Sequence, residues 1–211
     1  MRFTLVCDGP SDQALIPILI WSLRRRGASE IEPQWADLRR IPDPPRQLVP
    51  KIRLTLRLFP CELLFIHRDA EAEPLEDRLH EIREAVDTLR DEVEVPPHVC
   101  VVPVRMTEAW LLQSEFAIRS AADNPNGRNA LNLPPVRSIE TLTDPKAVLY
   151  QLLVEASGLG QRRRRALNPR QLVYRIAELI DDFSALDQLP AFTRFNSELS
   201  RVFEQPDQAD G

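Results

Sequence analysis

The chain has 211 residues, a formal net charge of -5, and 43% apolar and 28% charged residues. Those are ordinary globular proportions, in a chain long enough to bury a core without staples, and the acidic balance excludes coating of nucleic acid by bulk charge. No run approaches the roughly 18 apolar residues of a membrane span, and the N-terminal apolar run is too short for a signal peptide. Cys7, Cys61 and Cys100 lack the paired spacing of a zinc site or a disulfide framework. A cytoplasmic protein with free thiols and no membrane partner is expected.

In chain order, Arg2–Cys7 reads as a strand that Asp8-Gly9-Pro10 breaks, with Ser11 or Asp12 placed to cap the next helix. That helix carries Leu15, Ile16, Leu19, Ile20 and Leu23 at helical spacing and ends at Gly27. Residues 31–38 form a weaker, alternating strand, and the proline-rich segment 39–50 a loop. Residues 51–59 alternate basic and apolar side chains, and a helix is expected because the chain must cross between parallel strands. Glu62–His67 is a continuous apolar strand of the kind buried in parallel sheets. Residues 74–93 place Leu75, Leu79, Ile82, Val86 and Leu89 on one helical face. A fourth strand is expected over 98–104 and a helix over 108–118.

This alternation of strand and helix predicts an α/β fold with a mostly parallel, four-stranded, Rossmann-like sheet over residues 1–120. Residues 121–137 read as irregular. Helices are expected over 145–156, 169–181 and 191–203, so residues 121–211 form an α-helical extension packed on the core, with a polar, frayed tail.

The chemistry lies at the strand tips. Asp8, Asp12, Asp69, Glu71 and Glu108 all follow predicted parallel strands, whose carboxyl ends converge on the edge where α/β ligands bind. Carboxylates crowded together raise one another's pKa, and a hard cation resolves the conflict. An all-oxygen set favours Mg²⁺ or Mn²⁺ over zinc. Each acid alone reads equally well as a helix cap or a solvated group; it is their recurrence at three tips that points to a site. A phospho-receiver arrangement would need a lysine soon after the last strand, and none follows. Neither a glycine-rich phosphate loop nor a Ser or Cys nucleophile with a paired histidine is present.

The motifs Asp8-Gly9-Pro10-Ser11-Asp12 and Asp69-Ala70-Glu71, with Thr107-Glu108-Ala109-Trp110-Leu111-Leu112, resemble the three acidic motifs of an uncharacterised bacterial Toprim-like family. That family is related to the nuclease domain of overcoming-lysogenisation-defect proteins, which are associated with phage defence. Asp144-Pro145-Lys146 and Leu189-Pro190-Ala191-Phe192 extend the resemblance into the helical half. Two positions depart from the pattern: Asp8 stands for a glutamate and Glu71 for an aspartate. The resemblance implies a Toprim-like core and Mg²⁺-dependent phosphodiester cleavage of nucleic acid, with Asp8, Asp69, Glu71 and Glu108 as ligands and Asp12 as a lesser one. The other implied role is non-catalytic: a cation- or nucleotide-binding module that serves an ATPase partner protein.

Lys146, one of only two lysines, is the candidate for offsetting transition-state charge. Arg162, Arg163, Arg164, Arg165 and Arg170 are candidate contacts to a phosphate backbone. Arg105 is placed to pair with Glu108. His67 reads as a bystander bonded locally at a strand end, and Trp110 as core.

Overall fold

The computed structural model describes residues 1–164 and 167–204. Strands β1 (Arg2–Val6), β2 (Glu32–Trp35), β3 (Leu63–His67) and β4 (His98–Val101) pair in the order β2-β1-β3-β4, all parallel. Helices α1 (Leu15–Arg24), α2 (Leu48–Leu58) and α3 (Leu75–Arg90) connect them. The winding reverses between β1 and β3, because the chain runs from β1 out to β2 and then back across to β3 and β4. Right-handed crossovers therefore put α1 on one face of the sheet and α2 with α3 on the other.

The period-2 alternation of strand side chains sorts the apolar residues into two cores. Phe3, Leu5, Leu63, Phe65, Val99 and Val101 face α1 and the C-terminal helices. Val6, Leu64, Ile66 and Cys100 face α2 and α3, where Ile52, Leu79, Ile82, Val86 and Leu89 meet them. Both central strands are covered on both sides, which is why β3 is buried along its whole length. β2 is an edge strand bonded only to β1, a position that tolerates Pro33, which has no N–H to give a ladder.

After β4 come α4 (Glu115–Ala121), α5 (Pro145–Ala156), α6 (Gln161–Arg164), α7 (Pro169–Glu178) and α8 (Pro190–Glu204). Their apolar faces join the first core directly. Trp110 is fully buried and stacks edge-on against Phe192 at 5.1 Å, while Phe195 of α8 lies 6.3 Å from Phe65 of β3. The helical segment beyond residue 120 thus completes one side of the sheet.

Several expected boundaries differ: β2 covers only Glu32–Trp35 of the expected 31–38, and α7 ends at Glu178 instead of 181. β4 stops at Val101, and Pro103 follows two residues on. The segment expected as one helix over 108–118 is a 3₁₀ turn, Thr107–Leu111, followed by α4; Ser114 caps α4 by accepting from the Ala117 N–H at 3.2 Å. α2 begins at Leu48, so the proline-rich loop is shorter than expected. The polar tail from residue 205 and Arg165 lie outside the described residues. No described helix is long and apolar enough to cross a membrane.

The aromatic seam between sheet and C-terminal helices carries a direct test. Phe192→Ala should cost about 3–5 kcal/mol in urea unfolding, as expected for a fully buried ring. Phe116→Ala, at a position 64% exposed, should stay within about 0.5 kcal/mol of the parent protein.

Candidate metal centre at the β1–β3 edge

The site is built by strand parity at the carboxyl ends of β1 and β3. His67 follows Phe65 and Leu63 on the first face, and Asp69 continues that face one step past the strand. Asp12 reaches the same place from the 3₁₀ turn Pro10–Ala14 that opens α1. One ligand atom from each of Asp12, His67 and Asp69 lies within 4.8 Å of the others. Asp12 and His67 are buried, whereas the Asp69 side chain is 30% exposed and gives the cluster its opening to solvent.

Each member is held by neighbours. His67 Nδ1 lies 2.8 Å from the Val101 carbonyl oxygen, an acceptor, so Nδ1 carries the proton. Nε2 is then left facing Asp69 Oδ1 at 3.4 Å and Asp12 Oδ2 at 3.7 Å. Asp12 Oδ2 accepts from the Gly9 N–H at 2.8 Å and Asp69 Oδ1 from the Thr107 N–H at 3.0 Å. Asp12 therefore also does a cap's work, binding the free N–H at the head of its own turn.

Burial alone would push the His67 imidazole pKa down, but the hydrogen bond to Asp69 and the Asp12 charge outweigh it and the net shift is upward. Burial raises the Asp12 carboxyl, and the Asp69 charge adds to that rise. Without a cation the cluster favours holding a proton, because His67 and Asp12 both bind theirs more tightly than usual.

Glu108 and Lys146 form the adjoining pair. The 3₁₀ turn Thr107–Leu111 carries Glu108 inward until it is 1% exposed. Lys146 Nζ stands 3.0 Å from its Oε1, outside hydrogen-bonding geometry, so the contact is ionic. Burial raises the Glu108 pKa by more than Lys146 lowers it. Both groups feel the Asp69 charge, which raises each of them. Lys146 sits in the first turn of α5, which Asp144 caps by accepting from the Ala147 N–H at 2.9 Å. Burial raises the Tyr150 pKa, the Glu108 charge adds to the rise and Lys146 and Arg170 oppose it, so Arg170 belongs to the same electrostatic neighbourhood.

The other expected acids go elsewhere. Asp8 has the opposite parity to Cys7 and turns to the second face, where Lys51 Nζ is 2.5 Å and Arg68 Nη1 3.0 Å away. Burial would raise its pKa, but these two cations outweigh it and hold the carboxyl low. Glu71 has φ 52, in the left-handed region, so the extended alternation that would have aligned it with Asp69 is broken and its side chain is exposed. Its backbone has the structural role. The Glu71 N–H donates to the Arg105 carbonyl at 2.9 Å, and Arg105 Nη1 donates to the Glu71 carbonyl at 3.2 Å. Arg105, itself at φ 68, thus ties the two loops together instead of pairing with Glu108. Arg162, Arg163 and Arg164 are exposed on α6, and Arg164 Nε donates to the Leu159 carbonyl at 2.7 Å.

His67 is the member that sequence reasoning missed, and it is central rather than a bystander. The available signal was parity: a histidine two residues before Asp69, on the same face, at a buried strand's carboxyl end. No protein-family model, curated protein or solved structure matches this chain.

A pH prediction follows from the signs. His67 binds its proton more tightly in the folded state. Its contribution is therefore complete below about pH 6.5, the ordinary imidazole value, and is lost as pH rises through the raised folded value. Asp12 and Glu108, also raised, act with the same sign above the ordinary carboxyl range. In chelator, the melting temperature should fall as pH is raised from 6 to 9 at roughly constant ionic strength. His67→Gln should flatten that slope, and a slope unchanged in the variant would refute the assignment.

Proposed function

We propose that the protein is a divalent-metal-dependent phosphodiesterase acting on nucleic acid, with Asp12, His67 and Asp69 as the metal ligands. The observation that supports this most is the convergence of three ligand atoms within 4.8 Å at the β1–β3 edge, where the winding of the sheet reverses. Open α/β sheets bind ligands at such a reversal.

The residues fit a metal in their donor set and in their support. The Nδ1–H of His67 is anchored on a backbone carbonyl, the usual arrangement behind a ligating imidazole, and its Nε2, 3.5 Å from the Thr107 hydroxyl, faces the two carboxylates. Asp12 and Asp69 are each oriented by a backbone N–H. Two carboxylates and an imidazole suit Mn²⁺ better than Mg²⁺, because imidazole is a borderline ligand and Mg²⁺ prefers oxygen. Such an ion, when bound, acidifies a water and offsets charge on a phosphoryl oxygen.

The chain's own groups supply the rest. Lys146, 40% exposed beside a buried acid, stands ready to neutralise charge developing on a phosphate oxygen. Glu108, with its raised pKa, is suited to hold or release a proton at the leaving oxygen. Arg170, with exposed Arg162 and Arg163, would meet the phosphate backbone. A thiol nucleophile is disfavoured: burial pushes Cys7 up to about 12, and Cys100 likewise up to about 12, so neither forms thiolate near neutrality.

A non-catalytic cation-binding module, serving a partner such as an ATPase, is the second reading. It is favoured by the pairing of Asp8 with Lys51 and Arg68 and of Glu108 with Lys146, which gives both acids a charge partner without any metal.

Purified protein should cleave plasmid DNA, single-stranded DNA or RNA with Mn²⁺ and stop on addition of chelator. Asp69→Ala and His67→Ala should each lose at least ~100-fold, more than the ~10–100-fold typical of losing an outer-shell partner. Glu71→Gly, which removes the carboxylate but keeps the left-handed turn, should retain activity. Mn²⁺ that raises the melting temperature without any cleavage would favour the binding module. No response to Mn²⁺ in either assay would remove the metal assignment.

Proton competition gives a second check on the same ligands. Because metal binding requires neutral His67 and ionised Asp12, both of which hold protons tightly when folded, the apparent Kd for Mn²⁺ should fall as pH rises from 6 to 8. Titration calorimetry in two buffers of different ionisation enthalpy would count the protons released; zero release would contradict this ligand set.

A further inference from the structure

Asp8, turned away from the acidic cluster, lies in the wall of a separate cavity of about 490 Å³ at the carboxyl ends of β1 and β2. That volume is within the range of pockets that bury small organic ligands. It is several times the space that a lone inorganic anion fills.

One side of the cavity is cationic. Lys51 and Arg68 share the single Asp8 carboxylate. Arg68 also reaches Glu81 at 3.2 Å, but Glu81 is shared in turn with Arg78 at 2.9 Å. Among the residues that line the cavity, Arg39, Arg46, Lys51 and Arg68 stand against Asp8, Asp37 and Asp43. Arg46 lines the same cavity, is exposed, and among the described residues makes no ion pair. Between Arg46 and Lys51 the chain starts α2, whose first turn holds no acid and whose N-cap side chain makes no capping bond. The first turn itself, Leu48-Val49-Pro50, does not line the cavity, so the cationic side rests on side chains.

The other side is flat and aromatic. The Arg39 guanidinium lies over the Trp35 ring, 5.1 Å from its centroid. Asp37 holds the guanidinium there, accepting from Nε at 2.7 Å and Nη2 at 2.9 Å. The indole is fixed by its own N–H, which donates to Cys7 Sγ at 3.2 Å. Arg39 remains 52% exposed, so a planar ring can stack on its outward face.

We propose that this cavity binds a nucleoside monophosphate, free or at the end of a strand, with its phosphate toward Lys51, Arg68 and Arg46 and its base along the Trp35–Arg39 wall. The two sides of the cavity divide the ligand between them. The cationic side recognises any organic phosphate, and the flat side selects those that carry a base. None of Asp12, His67 and Asp69 lines this cavity, although Gly9 in its wall donates to Asp12, and the site stands whether or not that cluster binds metal.

Titration calorimetry with AMP and GMP, against ribose 5-phosphate and inorganic phosphate, tests the division. The mononucleotides should bind about tenfold or more tighter than ribose 5-phosphate, and Arg39→Ala should erase that advantage. Arg46→Ala, at an exposed position with no ion pair to lose, should weaken mononucleotide and ribose 5-phosphate alike by about tenfold. Asp69→Ala should bind AMP as the parent protein does, so loss of the metal cluster and loss of this pocket are read separately. A 5′-phosphorylated dinucleotide competing as well as AMP would identify a strand end as the source, and failure to compete would identify the free mononucleotide. Equal affinity for AMP and ribose 5-phosphate would overturn the base-binding half. Unchanged AMP affinity in both arginine variants, or no binding of AMP or GMP at millimolar concentration, would overturn the proposal.

Discussion

The alternation of side chains along β1 and β3, locked by their parallel register, is the constraint on which the rest depends. Val6 pairs with Ile66, so the residues just beyond the pair fall into step: Cys7 and His67 face one side, Asp8 and Arg68 the other. A slip of one residue in either strand would exchange the two faces. A slip in β1 would bury Asp8 among the C-terminal helices, and a slip in β3 would bury Arg68 there and turn His67 and Asp69 toward Lys51. The hydrophobic pattern prevents such a slip, because Phe3, Leu5, Leu63 and Phe65 are matched to the aromatic seam of α8 and Val6, Leu64 and Ile66 to α2 and α3. Core packing and chemistry are thus set by the same parity.

That parity also accounts for how so many charges tolerate burial. An ionised group deep in a protein is costly unless it is paired and hydrogen-bonded. On the first face His67 sits between Asp12 and Asp69, and Glu108 meets Lys146. On the second, Asp8 meets Lys51 and Arg68. Asp12 and Asp69 share one imidazole, Glu108 has one lysine and Asp8 has two cations, and these partners come from different elements. Lys146 comes from a helix of the C-terminal half, so that half completes the electrostatics of the edge as well as covering the sheet.

Much of the fold was legible because its signals are periodic. The apolar run Leu63–Ile66 and the helical spacing of Leu75, Leu79, Ile82, Val86 and Leu89 report burial on two faces and on one face respectively, and both elements form as expected. The candidate site was legible only as a set of strand tips. Sequence order placed Asp8, Asp69 and Glu108 near one edge, but the face each would take depends on where extended backbone ends. Asp8 is one residue out of phase with Cys7. Glu71 is lost to the site because the backbone turns left-handed there, a choice imposed by its bonding to Arg105 and invisible in the composition of Asp69-Ala70-Glu71. His67 looked inert alone; it gains meaning only because Asp12, fifty-five positions earlier in sequence, arrives from a turn across the strand end.

The Asp12–His67–Asp69 cluster has two ways to be electrically content, and they compete for one location. With a proton on Nε2, the imidazolium neutralises one of the two carboxylates and the raised Asp12 value eases the other. With a cation, the same Nε2 lone pair and the same carboxylate oxygens point inward, and the proton must leave. The supporting bonds from Val101, Gly9 and Thr107 serve either state without rearrangement, because each holds a ligand from behind. A site organised in this way needs little structural change to exchange proton for metal. On the proposed reading, the exchange would be governed by pH and metal concentration. Glu108 and Lys146 sit outside that exchange but within its field. Replacing a proton by a divalent ion adds positive charge beside Asp69, and that favours the ionised form of the Glu108 carboxyl. The charge state of the groups nearest a bound phosphate would in this way follow the occupancy of the cluster.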